Sequence, residues 1–348
     1  MPFLSLIIPA HNSSQTLPRL LDSIDQERIK NLEIIIVDDS STDNTEKFFN
    51  NSHAPVRGNY YFYRLKKNLG PAHARNYGAQ KANGEVLVFL DADVVVMPGT
   101  LKEVVRIFTE DKYKVAATGV WDKKQEGISF FPKFKALRDW SYWVNERKAD
   151  SYYYLFSTRI AAIRRDVFLQ LGGFNESFRG ADVEDIEFTY RLAKKYRVDF
   201  NEKMRVFHQF EDFWPIAKKY FKRAYQWVEI FSNRKKFDPV ATTGNEAITT
   251  ISAVGLVGSL GLGLISLMSQ MSPIRQVREI GLGVGVLFFG LSAVFLTAHL
   301  LGIRKFLKFV YQEEGLFFTI KSFFVGIALY LFIFTGAVWG MGKKYWSK

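Results

Sequence analysis

The chain has 348 residues, a net charge of +12 and no cysteine. Disulfides and thiolate metal sites are therefore excluded, and the length allows one large domain or two. The positive balance implies a partner of opposite sign, either nucleic acid or an anionic membrane.

The first residues lack a basic n-region, a long apolar core and a small-residue cleavage site, so no signal peptide is expected. An apolar run over residues 3–9 predicts a strand closed by Pro9, followed by the loop Ala10-His11-Asn12. Ser13 to Thr16 offer N-caps for a helix reaching Gln26, with Leu17, Leu20, Leu21 and Ile24 on one face. Residues 33–37 predict a second strand. It ends on Asp38-Asp39-Ser40-Ser41-Thr42-Asp43, which also caps a helix over 45–50. A third strand over 60–65, a turn at Asn68-Leu69-Gly70-Pro71 and a helix over 72–82 follow. Residues 86–90 carry no charge and predict a central strand buried on both faces. It ends on Asp91-Ala92-Asp93, two carboxylates leaving an extended chain on the same side. Two unpaired carboxylates so placed call for a neutralising partner, and a hard divalent cation suits them.

Strand and helix alternation predicts a parallel α/β sheet, in which ligands bind beyond the carboxyl ends of the strands. That rule gathers Pro9 to Asn12, Asp38-Asp39 and Asp91 to Asp93 at one rim. A Gly-x-Gly-x-x-Gly after the first strand and a Gly-x-x-x-x-Gly-Lys-Ser/Thr are both absent, which removes the main support for dinucleotide and P-loop readings.

Further on, residues 100–109 predict a helix and 115–120 a strand. A helix over 130–144 is so rich in aromatics that it either packs under the sheet or faces lipid. Residues 157–164 predict a strand returning to the rim. Gly172-Gly173 makes a turn, and Asp182, Glu184, Asp185 and Glu187 crowd the start of a helix, where acidic residues suit the dipole. His208 follows a short strand-like run. Between Asp212 and Phe237 seven basic residues interleave with Trp214, Ile216, Tyr220, Phe221, Trp227, Ile230 and Phe231, the composition of a helix lying among anionic headgroups. Three stretches, about 247–271, 281–303 and 322–341, hold no Asp, Glu, Lys or Arg and reach membrane-spanning length. The expected organisation is a soluble α/β domain over 1–211, an interfacial segment over 212–246 and a transmembrane region over 247–348. A basic patch beside apolar spans favours anionic lipid over nucleic acid.

Four motifs in order, Ile7-Ile8-Pro9-Ala10-His11-Asn12, Ile36-Val37-Asp38-Asp39-Ser40-Ser41-Thr42-Asp43, Asn68 to Gly78 and Leu90-Asp91-Ala92-Asp93, resemble those of family 2 glycosyltransferases. The resemblance implies the GT-A fold, a nucleotide-diphosphate sugar as donor and a divalent cation, Mg2+ or Mn2+. It puts Pro9, Asn12, Asp38 and Asp39 at the nucleoside, and His11 where an aromatic is common. It puts Arg75 near the ribose or diphosphate, Asp91 at the ribose or sugar and Asp93 on the metal, with His208 as a second ligand. Asp185 is the implied general base and Glu184 the fallback, with Arg179 and Gly180 beside the substrate. Arg223, or Lys222, is expected near a lipid-linked phosphate or the donor diphosphate.

The reaction so implied is inverting and non-processive, with a lipid or lipid-linked saccharide as acceptor. Arg223-Ala224-Tyr225-Gln226-Trp227 lacks the Gln-x-x-Arg-Trp spacing of processive synthases. Polyprenyl-phosphate sugar synthases, processive polysaccharide synthases and an inactive GT-A scaffold are the other readings. Arg234, Lys235, Lys236, Arg304, Lys305 and Lys308 argue for a multi-pass protein of the cytoplasmic (inner) membrane with its catalytic domain in the cytoplasm. Lys343, Lys344 and Lys348 argue the other way.

Overall fold

The computed structural model describes residues 3–47, 59–147, 154–178, 180, 183–234 and 243–346. The chain divides into two units, Met1–Glu211 and Asp212–Lys348.

The first unit is built on one sheet. Its strands are β1 (Leu4–Ala10), β2 (Leu32–Asp38), β3 (Asn59–Arg64), β4 (Val86–Leu90), β5 (Val94–Val96), β6 (Ala116–Trp121), β7 (Ile160–Arg164) and β8 (Val198–His208), in the order β3-β2-β1-β4-β7-β6-β8-β5. β1 to β4 pair in parallel, β7 is antiparallel to both β4 and β6, and β8 runs parallel to β6. The carboxyl ends of β1, β2, β4, β6 and β8 thus share one rim, and β7 begins there. Helices α1 (Leu17–Glu27), α2 (Pro71–Lys81), α3 (Thr100–Glu110), α4 (Phe130–Trp140), α5 (Arg165–Gln170) and α6 (Glu184–Leu192) complete the unit. All five side chains of β4 are shut off from solvent, as its uncharged sequence predicts. Each large one contributes about 1.5–3 kcal/mol on burial.

The chain has 32 phenylalanines, and five of them cluster below the rim. Phe89, Phe156, Phe168, Phe174 and Phe188 pack ring against ring and seat α6 against β4. At the opposite end, buried Glu33 accepts from Ser5 Oγ and from the backbone N–H groups of Asn83 and Gly84 at 2.5, 2.5 and 3.0 Å. That fixes the turn from which β4 starts.

Several expectations shift. His208 closes an eleven-residue strand, because β8 gains β6 and β5 as partners that the local sequence does not announce. The aromatic helix stops at Trp140 and widens into a π-turn, Ser141–Glu146. Phe131, Phe134 and Leu137 are buried, which decides for packing in that helix. Thr45 to Lys47 are helical, whereas Phe48 to Asn50, like Arg179, Asp182, Lys235 and Lys236, lie outside the described residues.

The second unit holds α7 (Phe213–Arg234), α8 (Gly244–Leu267) and α9 (Arg275–Trp346). Thr243 caps α8 by accepting from Glu246 N. Two helices, Gly244–Met271 and Arg275–Lys343, are long and apolar enough to cross a membrane. The second and third apolar stretches therefore belong to one helical run, interrupted at Gly315 (φ 80°, ψ −176°). The run folds back there. His299 and Tyr330 have ring centroids 5.5 Å apart, whereas a straight helix would separate them by about 46 Å. α7 lies against the returning limb at two glycines, since a Cβ on Gly336 or Gly340 would come within 2.3 or 2.8 Å of the Phe221 or Tyr225 carbonyl. Lys218, Lys219, Lys222 and Arg223 of α7 are exposed.

The β6–β8 register slips at Gly119, where a Cβ would sit 2.0 Å from the Met204 carbonyl oxygen. Gly119→Ala should therefore lower the stability of this unit by about 1–3 kcal/mol or more, read as an earlier denaturant midpoint.

Candidate active site

The rim carboxylates do different work. Asp39 accepts from the N–H groups of Leu69 and Gly70 at 2.8 and 2.7 Å. It anchors the entry to α2, whose N-cap Gly70 has φ 94°. Asp38 accepts from Ser41 N at 3.0 Å and faces Arg64 at 3.5 Å. Both carboxylates are buried and hold the loop as well as bordering the rim. Asn12 (φ 53°) accepts from the N–H groups of Thr42 and Asp43, and its own N–H donates to Ser41 Oγ. Pro9 is the last residue but one of β1 and pairs with Val37 of β2. The His11 ring is exposed and lies 3.0 Å from the Asp39 carbonyl and 3.2 Å from Asn68 Nδ2.

Arg75 ties three elements together. From α2 its Nη2 donates to Asp91 Oδ1 at 2.6 Å and its Nη1 to Glu184 Oε1 at 3.0 Å. Arg75 and Glu184 are almost wholly buried. Burial would lower the guanidinium pKa, but Asp91 and Glu184 outweigh it and raise it. Burial pushes the Asp91 carboxyl up, Arg75 pulls it down and Asp93 pushes it up again. The remaining two carboxylates differ. Asp93 is half-exposed, with Oδ2 at 3.3 Å from His208 Nε2. Asp185 sits in the first turn of α6, partly exposed, and its Oδ1 accepts from Ile186 N at 2.8 Å. Gly180 is partly exposed; Arg223 belongs to α7 of the second unit.

The residues present fit a divalent cation. Asp93 Oδ2 and His208 Nε2 are one hard oxygen and one imidazole nitrogen. Their separation compares with about 3 Å between adjacent ligands of an octahedral ion with bonds of about 2.1 Å. Among the described residues no cluster of three or more His, Cys, Asp or Glu could hold a metal. The other positions would fall to water or to a ligand's oxygens.

Sequence reasoning missed the wall beside His208. Arg159 directly precedes β7, whose register sets it opposite Asp91. Its Cζ lies 4.7 Å from the Trp121 ring centroid and 4.3 Å from that of Trp143. Burial pushes this guanidinium down to about 10, against the pull of Asp139 and Asp185. The Trp121 ring also packs on His208, 5.5 Å between centroids. Gln125 steadies the tail of β8: its Nε2 donates to the His208 carbonyl and its Oε1 accepts from Phe210 N, both at 2.8 Å. No spacing rule brings these residues together. They meet because β6 pairs with both β7 and β8, and only the place of Arg159 in the expected returning strand over 157–164 was a signal.

The glycosyl transferase family 2 profile matches residues 5–172, from β1 through α5. An uncharacterized glycosyltransferase of Haemophilus influenzae is 27% identical over 206 residues, covering 55% of this chain and 62% of its own length. A GalNAc(5)-diNAcBac-PP-undecaprenol beta-1,3-glucosyltransferase of Campylobacter jejuni is 28% identical over 180 residues, covering 52% of this chain and 57% of its own. The chain thus spans about six-tenths of the length of these two curated relatives. In fold it resembles a mannosyltransferase from Pyrobaculum calidifontis, solved in complex with GDP-Man and Mn2+. That match has a TM-score of 0.59 at 18% identity and covers 99% of this chain and 88% of that one.

Arg75→Met would leave Asp91 and Glu184 without their shared cation. A loss of about 3–5 kcal/mol in unfolding free energy is expected, measured by denaturant titration. Arg75→Lys, which cannot bridge both carboxylates as a fork, should recover only part of it.

Proposed function

We propose, from the premise that residues 5–172 are a family 2 glycosyltransferase domain of GT-A fold, that this chain transfers a sugar from a nucleotide-diphosphate sugar to a hydroxyl of a lipid or lipid-linked saccharide. The observation that carries the reading is the division of labour among the rim carboxylates. Arg75 binds Asp91 and Glu184, while Asp93 lies beside His208 and Asp185 opens the first turn of α6.

In this reading the loops carrying Pro9, Asn12, Asp38 and Asp39 frame the nucleoside. Asp91, oriented by Arg75, accepts from a donor hydroxyl. Asp93 and His208 would hold a Mg2+ or Mn2+ ion, which supplies Lewis-acid stabilisation of the charge gathering on the diphosphate. Asp185 accepts the proton of the attacking hydroxyl. As that oxygen bonds to the anomeric carbon, the bond from the anomeric carbon to the diphosphate breaks, and direct displacement inverts the centre. Glu184 is a poorer base than Asp185 because its carboxylate is already bonded to Arg75 inside the protein. By the family resemblance, Arg179, Gly180 and Arg223 would contact the substrate.

The acceptor class rests on two supports. The relative from Campylobacter jejuni is named for an undecaprenol-linked acceptor, and the second unit has two helices able to cross a membrane. The exposed cations of α7 suit an anionic lipid surface. Because nucleotide sugars are made in the cytoplasm, the catalytic unit is assigned to the cytoplasmic face.

The purified full chain should consume one nucleotide sugar in a cation-dependent way when screened against a donor panel with polyprenyl-linked acceptors. Turnover of none of them would overturn the reading. Asp185→Asn should lower kcat by about 10²–10⁴-fold while nucleotide binding persists, and unimpaired transfer would remove Asp185 as the base. Asp93→Asn should abolish the cation dependence of nucleotide binding, seen by titrating Mn2+ against a nucleoside diphosphate.

A further inference from the structure

The wall beside the rim carries donors without acceptors. Trp121 Nε1, Arg159 Nη2 and His208 Nδ1 are each closed to solvent and have no hydrogen-bond partner among the described residues. They sit on side chains in contact, the Trp121 ring packing against both His208 and Arg159. Arg159 is 4% exposed. Its one hydrogen bond is from Nε to the Gly119 carbonyl, at 3.4 Å, and no carboxylate lies within ion-pair distance among the described residues. Asp91, across the strand pair, is bonded to Arg75, and Asp139 of α4 is paired with Lys135.

Native proteins leave few buried polar groups unmatched, and a buried cation without a counter-charge is the costliest kind. Two indole faces lower that cost through cation–π attraction but accept no hydrogen bond in the guanidinium plane. The tautomer of His208 that leaves Nε2 free to meet a cation puts the proton on Nδ1. Trp121 Nε1 and Arg159 Nη2 are donors in either tautomer, and His208 Nδ1 joins them when Nε2 is left to a cation, so what is missing is an acceptor-rich anion.

We propose that Trp121, Arg159 and His208 form an oxyanion subsite that binds a phosphate-type group. The proposal rests on the glycosyltransferase reading for its place in catalysis, beside the base and next to the cation ligands. Two sources share the chemistry: a phosphate of the acceptor lipid and the diphosphate of the donor. The acceptor is favoured, because donor diphosphate is expected at the other edge of the imidazole, where Nε2 faces Asp93. These donors are closed to solvent, so binding includes a shift of the covering side chains. Trp143, which lies against Arg159, stands in the π-turn, a winding common at functional sites.

The test is calorimetric titration of the full chain with inorganic pyrophosphate in EDTA, followed by titration with a nucleoside diphosphate and Mn2+. Arg159→Gln should weaken metal-free pyrophosphate binding at least tenfold. Trp121→Phe, which keeps the ring and deletes the N–H, should weaken it several-fold. Arg159→Lys, which keeps the charge, should fall between wild type and Arg159→Gln, and serves if the glutamine variant does not fold. Loss confined to pyrophosphate assigns the subsite to the acceptor, and an equal loss for the nucleotide assigns it to the donor. Pyrophosphate affinity independent of both Arg159 and Trp121 would overturn the subsite. A wild-type chain that binds pyrophosphate through Arg159 but no nucleoside diphosphate would overturn the glycosyltransferase reading and leave the subsite standing.

Discussion

The buried fork of Arg75 is the constraint on which the rim depends. A buried guanidinium shared by two carboxylates cannot be removed cheaply, because its loss leaves both carboxylates uncompensated. The three residues come from α2, the end of β4 and the first turn of α6. The triad therefore holds the Asp-x-Asp turn in register with the helix that presents Asp185. It also sorts the acidic residues: Asp91 and Glu184 are ion-paired to Arg75, while Asp93 is exposed beside His208 and Asp185 is partly exposed in the first turn of α6.

Much of the fold was legible because local signals and tertiary partners agree. β1, β2 and β4 read as apolar runs ended by polar loops, and the structure buries them within a residue or two of the expected bounds. The parallel order follows from the helices between them. The far half of the sheet was less legible. β8 has exposed charged residues along its middle, Glu202, Lys203 and Arg205, and is a strand because β6 and β5 flank it. Asp38 and Asp39 read as ligands but also serve the backbone, a use that their sequence could not reveal. The wall of Trp121, Trp143 and Arg159 was invisible because its members come from β6, the π-turn after α4 and the entry to β7.

In the second unit, hydropathy marked the apolar stretches but not their continuity. Ile303, Phe306 and Val310 continue the buried face of α9 between charged residues, so the helix runs on beyond the apolar stretch. Gly315 reverses it with a backbone conformation that other residues rarely adopt. The glycines at 336 and 340 show their purpose only in three dimensions, as the points where α7 and the returning limb approach backbone to backbone.

The central claim is that the rim divides its carboxylates between a structural fork and a cation site. A crystal of the full chain soaked with Mn2+ and a nucleoside diphosphate tests it directly through the metal's anomalous scattering. The account predicts one peak between Asp93 and His208, with Arg75 still bonded to Asp91 and Glu184. A peak between Asp91 and Glu184 with Arg75 displaced would contradict it.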